Sequence, residues 1–292
     1  MISAFQDAPE ISGTTIDAGW KVPTVTIARH LGGELLPLGL DQPLALLGGD
    51  ALSPDRLLRG LMLDWAPPLQ EQVFDACRDQ ALAFRPWFWM PPCVMSGDAG
   101  IGRTLMARSI ARYAGVPFVT IHIGKAVGGE RSTVRSPDIR YPSAVVLAMA
   151  TARCANPVVL IEGIEDATDE VIGDMQAMVD PVSSPRWLEP SIGALVDLSH
   201  VTWLIRSSGP LGIPRALSHL QRVEIRLDEE ARESRSLSIM AEVLPDLDVN
   251  ITAFRGRGGT LLQPLHAAGF KHAKDMRKVA EKAALAASKV LS

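Results

Sequence analysis

Two groups of residues in this chain have the types and spacing to act on a polyanion. The first is Gly97-Asp98-Ala99-Gly100-Ile101-Gly102-Arg103-Thr104, followed by Leu105. Its glycines let backbone close around phosphate groups with no Cβ in the way. An apolar run, Cys93-Val94-Met95-Ser96, precedes it, and a helix-compatible run, Leu105 to Tyr113, follows. A strand that feeds a glycine-rich turn into a helix N-terminus aims several backbone N–H groups at one spot, and the helix dipole adds to the attraction for an anion. The spacing is that of a phosphate-binding P-loop with one departure: Arg103 stands where that loop carries lysine. Thr104 is placed to ligate Mg²⁺. The expectation is a site for ATP with Mg²⁺.

The second group closes another apolar run. Val158-Val159-Leu160-Ile161 ends in Glu162-Gly163-Ile164-Glu165-Asp166. Nucleotide chemistry on a P-loop needs an acid at the end of a second buried strand to hold the metal, and a neighbour that polarises the attacking water. Glu162 can take the metal role. The neighbouring place is Gly163, which has nothing to orient water with. Glu165 or Asp166 could serve if the loop bends, and Gly163→Glu is expected to raise hydrolysis. The alternative, loop carboxylates at a strand end with no role in chemistry, stays open beside these expectations.

Composition limits the other classes of function. Of 292 residues 47% are hydrophobic, enough for one large core or two modest ones. The net charge of −4 gives no global pull toward nucleic acid or an anionic membrane. The charge is uneven. Residues 250–292 carry eight Lys/Arg against Asp275 and Glu281, a local excess of +6. A solvated helical face accounts for that excess, and contact with phosphate or an acidic partner is the alternative. Cys77, Cys93 and Cys154 lack the spacing of a metal site or a disulfide framework and suit a reducing compartment. The six histidines show no HxxxH or HExxH spacing, which points away from a zinc hydrolase. The N-terminus has no basic segment followed by an apolar core, and the longest apolar run, Ala144 to Ala152, is too short to span a bilayer. A soluble, cytoplasmic protein is expected.

The two groups need a scaffold that holds strand ends side by side. From residue 91 the pattern alternates between strand and helix, with strands expected at 92–96, 117–123, 157–162, 200–206 and 222–227. Helices are expected at 102–114, 143–154 and 167–180, and Leu69 to Phe84 also has helical spacing. A continuous apolar run such as 158–161 suits a strand buried on both faces of a parallel sheet. This is the signature of a doubly wound α/β domain. Residues 1–65 are Gly- and Pro-rich with short apolar stretches, and Ser53-Pro54-Asp55 has the form of a helix start. After Leu227 the pattern is helical. The expected division is an N-terminal segment at 1–65, a nucleotide-binding core at 66–228 and a helical lid at 229–292. Trp87-Phe88-Trp89-Met90 is expected to pack in the core, with a wall beside an adenine as the alternative.

The P-loop and the residues after it, Leu105-Met-Ala-Arg-Ser-Ile-Ala-Arg-Tyr-Ala-Gly-Val-Pro-Phe-Val-Thr-Ile, resemble the first βαβ unit of AAA+ ATPases. Asn156-Pro-Val-Val-Leu-Ile-Glu-Gly-Ile-Glu resembles their Walker B strand. The stretches Asp174 to Pro181, Val196 to Trp203 and Ile213-Pro-Arg-Ala-Leu are similar to the ATPase module of Lon-type proteases. The resemblance covers roughly residues 70–290. It implies a five-stranded parallel sheet, an ATP site at its carboxyl edge, a C-terminal helical lid, a protein substrate or partner, and assembly into a homo-oligomeric ring. No stretch resembles the peptidase domain of those proteases.

By the same resemblance the family's lysine matches Arg103, its metal-binding aspartate Glu162, its catalytic glutamate Gly163 and its sensor asparagine Ser208. An arginine finger falls near Arg222. The lid's sensor arginine matches Lys274, with Arg277 as the neighbour that could replace it. The aromatic pore loop has no clear counterpart. These departures lower the expected rate of turnover more than they lower binding, which rests on loop backbone. Two functions lead from sequence, ahead of a nucleic-acid-associated AAA+ protein that would use the basic C-terminal helix. One is an ATP-binding AAA+ ATPase, slow or active only when assembled, acting on a protein partner. The other is a non-hydrolysing module that uses nucleotide as a scaffold or switch.

Overall fold

The computed structural model describes residues 22–30, 36–53, 61, 63, 65–98, 100–123, 126–127, 130–131, 142–207 and 213–226. Three short N-terminal strands come first: β1 (Thr24–Val25), β2 (Ala28–His30) and β3 (Leu44–Ala45). Helix α1 (Pro67–Leu82) begins at a Pro-Pro pair, where the missing N–H groups cost nothing because the first turn has no acceptor for them. Then β4 (Cys93–Gly97), α2 (Arg103–Ala114) and β5 (Phe118–His122) follow. A two-residue pair, β6 (Ala126–Val127) with β7 (Glu130–Arg131), precedes α3 (Ala144–Ala152). The chain continues through β8 (Val158–Glu162), α4 (Asp169–Val179), β9 (Trp187–Glu189), β10 (Ala194–Val196), β11 (Thr202–Arg206) and β12 (Gln221–Ile225).

Five strands form one sheet in the order β12-β4-β11-β8-β5, and every pairing in it is parallel. The expected α/β fold with a five-stranded parallel sheet is therefore present, with each strand and helix within two residues of its expected place. The one helical lid expected at 229–292 lies outside the described residues, as does the helix start at Pro54.

The strands of the sheet alternate between two cores, as a period of two requires. In β8, Val159 and Ile161 face a cluster that includes Val145, Val146 and Met149 of α3 and Val171, Met175 and Met178 of α4. Val158 and Leu160 face the other side, with Leu69 and Val73 of α1 and Met106 and Ile110 of α2. Burial on both faces explains why β8 carries no polar residue before its last position. α3, with the sequence AVVLAMATA, is almost wholly apolar because it is sunk in the first cluster.

The described part of the N-terminal segment packs into the same body. β2 joins β10 and β9 in a small antiparallel sheet that the sequence pattern did not reveal. Ile27, Leu36, Leu40, Leu44 and Leu46 all lie in the α3–α4 core. Asn156, fully buried, ties this segment to the sheet. Its Oδ1 accepts from the Leu47 N–H at 2.9 Å, and its Nδ2 donates to the carbonyls of Leu47 at 2.9 Å and Phe88 at 2.7 Å.

The aromatic patch is core. Phe88 and Met90 are buried in the α1–α2 cluster, and Trp87 meets His200 edge-on at 6.0 Å. The patch precedes β4, with the Met90 N–H on the Thr202 hydroxyl at the start of β11. It therefore lies at the amino edge of the sheet, opposite Gly97, and does not wall the loop. Burial pushes the Cys77 and Cys93 thiols up to about 12 and Cys154 to about 11, so none is a thiolate near neutral pH. Among the described residues no helix is long and apolar enough to cross a membrane.

Candidate nucleotide site

The carboxyl edge of a parallel sheet is where α/β proteins bind ligands, and both chemistry-bearing groups reach that edge. The glycine loop leaves the end of β4. Gly97, Gly100 and Gly102 have φ of 145°, 79° and 105°, in the region L side chains rarely enter. Gly97 is also pinned by space, because a Cβ there would lie 2.5 Å from the Ile225 carbonyl oxygen. Gly102 precedes the first turn of α2, whose leading N–H groups have no acceptor within the helix. Arg103, Thr104 and Leu105 make up that turn. Asp98 is exposed and Ile101 is buried. Ala99, Ser208 and Lys274 lie outside the described residues.

Arg103 is buried, with 3% of its surface exposed. Its Nη1 donates to the Gly97 carbonyl and, at 3.0 Å, to the Ser207 carbonyl. One guanidinium nitrogen thus joins the ends of β4 and β11. Burial lowers its proton affinity and the Arg206 charge adds to that, while Glu165, Glu162 and Asp98 oppose both. Arginine remains charged throughout. Its Nη2 is buried with no hydrogen-bond partner among the described residues.

Parallel register sets the second group. His122 pairs with Glu162, and Ile205 pairs with Ile161, so His122, Glu162 and Arg206 lie side by side at the ends of β5, β8 and β11. Glu162 Oε1 accepts from the Thr104 hydroxyl at 2.8 Å and from Arg206 Nη1 at 3.0 Å. His122 Nδ1 lies 3.0 Å from Oε2 without a hydrogen bond between them. Burial pushes the Glu162 carboxyl up, but the hydrogen bonds from Thr104 and Arg206, with the charges of Arg206 and His122, outweigh it and hold it below the usual carboxylate range.

The structure brings together Gly97, Gly100, Gly102, Arg103, Thr104 and Glu162 of the expected set. Glu165 is exposed on the short turn Ile164–Asp166, and its charge reaches Arg103. Arg222 does not join the site. It is exposed on the edge strand β12, level with Val94, three residues before Gly97. Arg206 and His122 were missed. The available signal was a cationic residue closing each of two apolar strands.

Gly163 overturns one expectation. It has φ 82°, and a Cβ would lie 2.5 Å from the Ile123 carbonyl oxygen. A glutamate there would collide with backbone rather than restore a water-orienting carboxylate, so Gly163→Glu is not expected to raise hydrolysis.

Residues 93–229 match the ATPase family associated with various cellular activities, AAA. The chain carries an AAA ATPase domain. Distant, partial similarity to Lon proteases accompanies the match. The chain is 29% identical over 144 residues to a Lon protease of Desulforamulus reducens, covering 46% of this chain and 17% of that protein. It is 30% identical over 160 residues to one of Azorhizobium caulinodans, covering 50% and 18%. Lon protease 1 of Bacillus subtilis is 29% identical over 143 residues, covering 46% and 18%. The matched part thus spans less than a fifth of these relatives' length.

AAA domains generally bind ATP with Mg²⁺, and the two fit this site unequally. The loop fits a polyphosphate: it offers left-handed glycines, a helix N-terminus and the unpaired Arg103 Nη2. The metal fits poorly. Thr104 and Glu162 are donors of the right type, but Oε1 already accepts from the Arg206 guanidinium and His122 Nδ1 stands 3.0 Å from Oε2.

The depressed Glu162 pKa has a pH consequence. The unfolded chain takes up this proton first as pH falls, so the contribution of Glu162 is complete above the ordinary carboxylate range, about 4.3. It is lost as pH falls through the lower folded-state value. Melting curves from pH 7 to pH 3, on the order of a dozen points, should fall more steeply for the parent than for Glu162→Gln at the acid end. Parallel curves would contradict this.

Proposed function

We propose that this chain is an ATP-binding AAA module in which hydrolysis is slow, or dependent on assembly, and which acts on a protein partner. The observation that carries the binding is the glycine loop at the carboxyl edge of the sheet, with the unpaired Arg103 Nη2 beside it. Backbone N–H groups do most of the work in such a loop, so the exchange of lysine for arginine is compatible with binding.

A second reading, in which the bound nucleotide is a scaffold or switch and is not hydrolysed, is favoured by Gly163. The place of the catalytic carboxylate is taken by a residue whose backbone conformation excludes a side chain. Glu165 is the group that would supply a base if turnover occurs in an assembly, since its charge already reaches Arg103. A polypeptide partner is supported by the similarity to Lon proteases. The basic stretch at 250–292 would serve that partner or solvent before it served nucleic acid.

Ring assembly is the remaining part of the proposal. Arg222 stands on the exposed edge strand and cannot reach its own loop, so a finger role requires a second copy. Light scattering should show a rise in mass on adding ATP, and Arg222→Ala should reduce it. A mass that stays that of one chain at saturating ATP would speak for a standalone module.

Binding itself is tested by thermal stability. ATP at about 100 times its Kd should add roughly 2.7 kcal/mol by mass action. For a domain of this size, at about 2–4 °C per kcal/mol, that corresponds to a Tm rise of roughly 5–11 °C. Gly102→Val, which places a branched side chain at φ 105°, should abolish the shift while the far-ultraviolet circular dichroism stays that of the parent. An unchanged Tm in the parent at millimolar ATP would sink the proposal.

A further inference from the structure

Both oxygens of Glu162 are already engaged by neighbouring side chains. Its Oε1 is shared by the Thr104 hydroxyl at 2.8 Å and Arg206 Nη1 at 3.0 Å, and His122 Nδ1 stands 3.0 Å from Oε2. Arg103 lies within electrostatic range of the same carboxylate. Mg²⁺ demands a near-octahedral shell of oxygens, keeps several waters, and needs a carboxylate to offset its charge. Here the oxygen facing the threonine hydroxyl is already spent on a guanidinium. A dication placed between Thr104 and Glu162 would have to displace Arg206 or sit against it.

Arg206 has the means to meet an anion itself. A guanidinium carries five N–H donors in a rigid fork that suits phosphate, and among the described residues its one hydrogen bond is to Glu162. Its side chain is 36% exposed and stands at the same strand edge as the glycine loop. Glu162 holds the fork in place from behind, and register alone brings the two level.

We propose that Arg206 is the cation of this site in place of a divalent metal, its guanidinium fixed on Glu162 beside Thr104 and facing the terminal phosphates of a nucleoside polyphosphate. This rests on the nucleotide-binding reading above. It assigns Arg206 a binding role and makes the metal-free nucleotide the ligand. Glu162 becomes the group that positions Arg206 and not a metal ligand.

The test is an equilibrium titration of the full chain with ATP, by calorimetry, in excess EDTA and again in excess Mg²⁺. The parent should bind in EDTA, and Mg²⁺ should leave the Kd unchanged within about threefold or weaken it. Arg206→Met should bind at least about tenfold more weakly in EDTA, and Mg²⁺ should recover part of the loss because Glu162 is released for the metal. Arg206→Lys, which keeps the charge, should lie between the two. If the parent binds about tenfold more tightly with Mg²⁺ than in EDTA, this inference is overturned and the nucleotide reading stands. If the parent binds in neither condition, the nucleotide reading fails and this inference with it. Should Arg206→Met fail to fold, the parent's comparison of EDTA with Mg²⁺ decides the matter alone.

Discussion

A single buried guanidinium holds the site to its scaffold. Arg103 donates from one nitrogen to carbonyls at the ends of β4 and β11, so the mouth of the loop and the sheet edge move as one piece. Burying that charge is costly unless it is hydrogen-bonded, and two carbonyls with three nearby carboxylates provide the compensation. The rest of the edge is arranged around this choice. Gly97 has no room for a Cβ, Arg206 adds a second guanidinium beside the first, and Glu162 neutralises the group from behind. Arginine and lysine are not interchangeable in such a place, because the planar guanidinium makes this pair from Nη1 and still carries Nη2 and Nε as further donors.

On the proposed reading, the same edge would separate binding from turnover. Phosphate binding depends on backbone that the fold supplies. It needs a strand end, glycines in left-handed conformation and the first turn of a helix. Water activation depends on one side chain at the place of Gly163, and there the backbone itself excludes one. On that reading the obstacle lies in the turn that follows β8. A single substitution cannot reverse it unless the end of β5, where Ile123 stands, moves too.

How far the sequence revealed this varies with the physical origin of each feature. The five strands and four principal helices were legible because each is a short apolar run or a helical stripe bounded by Gly or Pro, and because β8 is buried on both faces. The loop was legible because its conformation needs glycine at fixed places. β2, β9 and β10 were not, since strands of three residues leave no period to read. Arg206 and His122 were hidden for another reason. Their partner Glu162 is 44 residues from Arg206, and only the register of β5, β8 and β11 puts the three in a row. The space at Gly163 was equally invisible, because it is set by a carbonyl on the neighbouring strand end.

The central claim is a nucleotide site that holds ATP without consuming it at a useful rate. The most direct test is the fate of bound nucleotide. Purified protein is saturated with ATP, freed of excess by rapid gel filtration, left for about an hour, a long time against the seconds or less of an ordinary enzymatic turnover, and then denatured for chromatography of what it held. The account predicts that the nucleotide recovered is still ATP. Recovery of ADP in its place would show that a base acts despite Gly163, and would contradict the account.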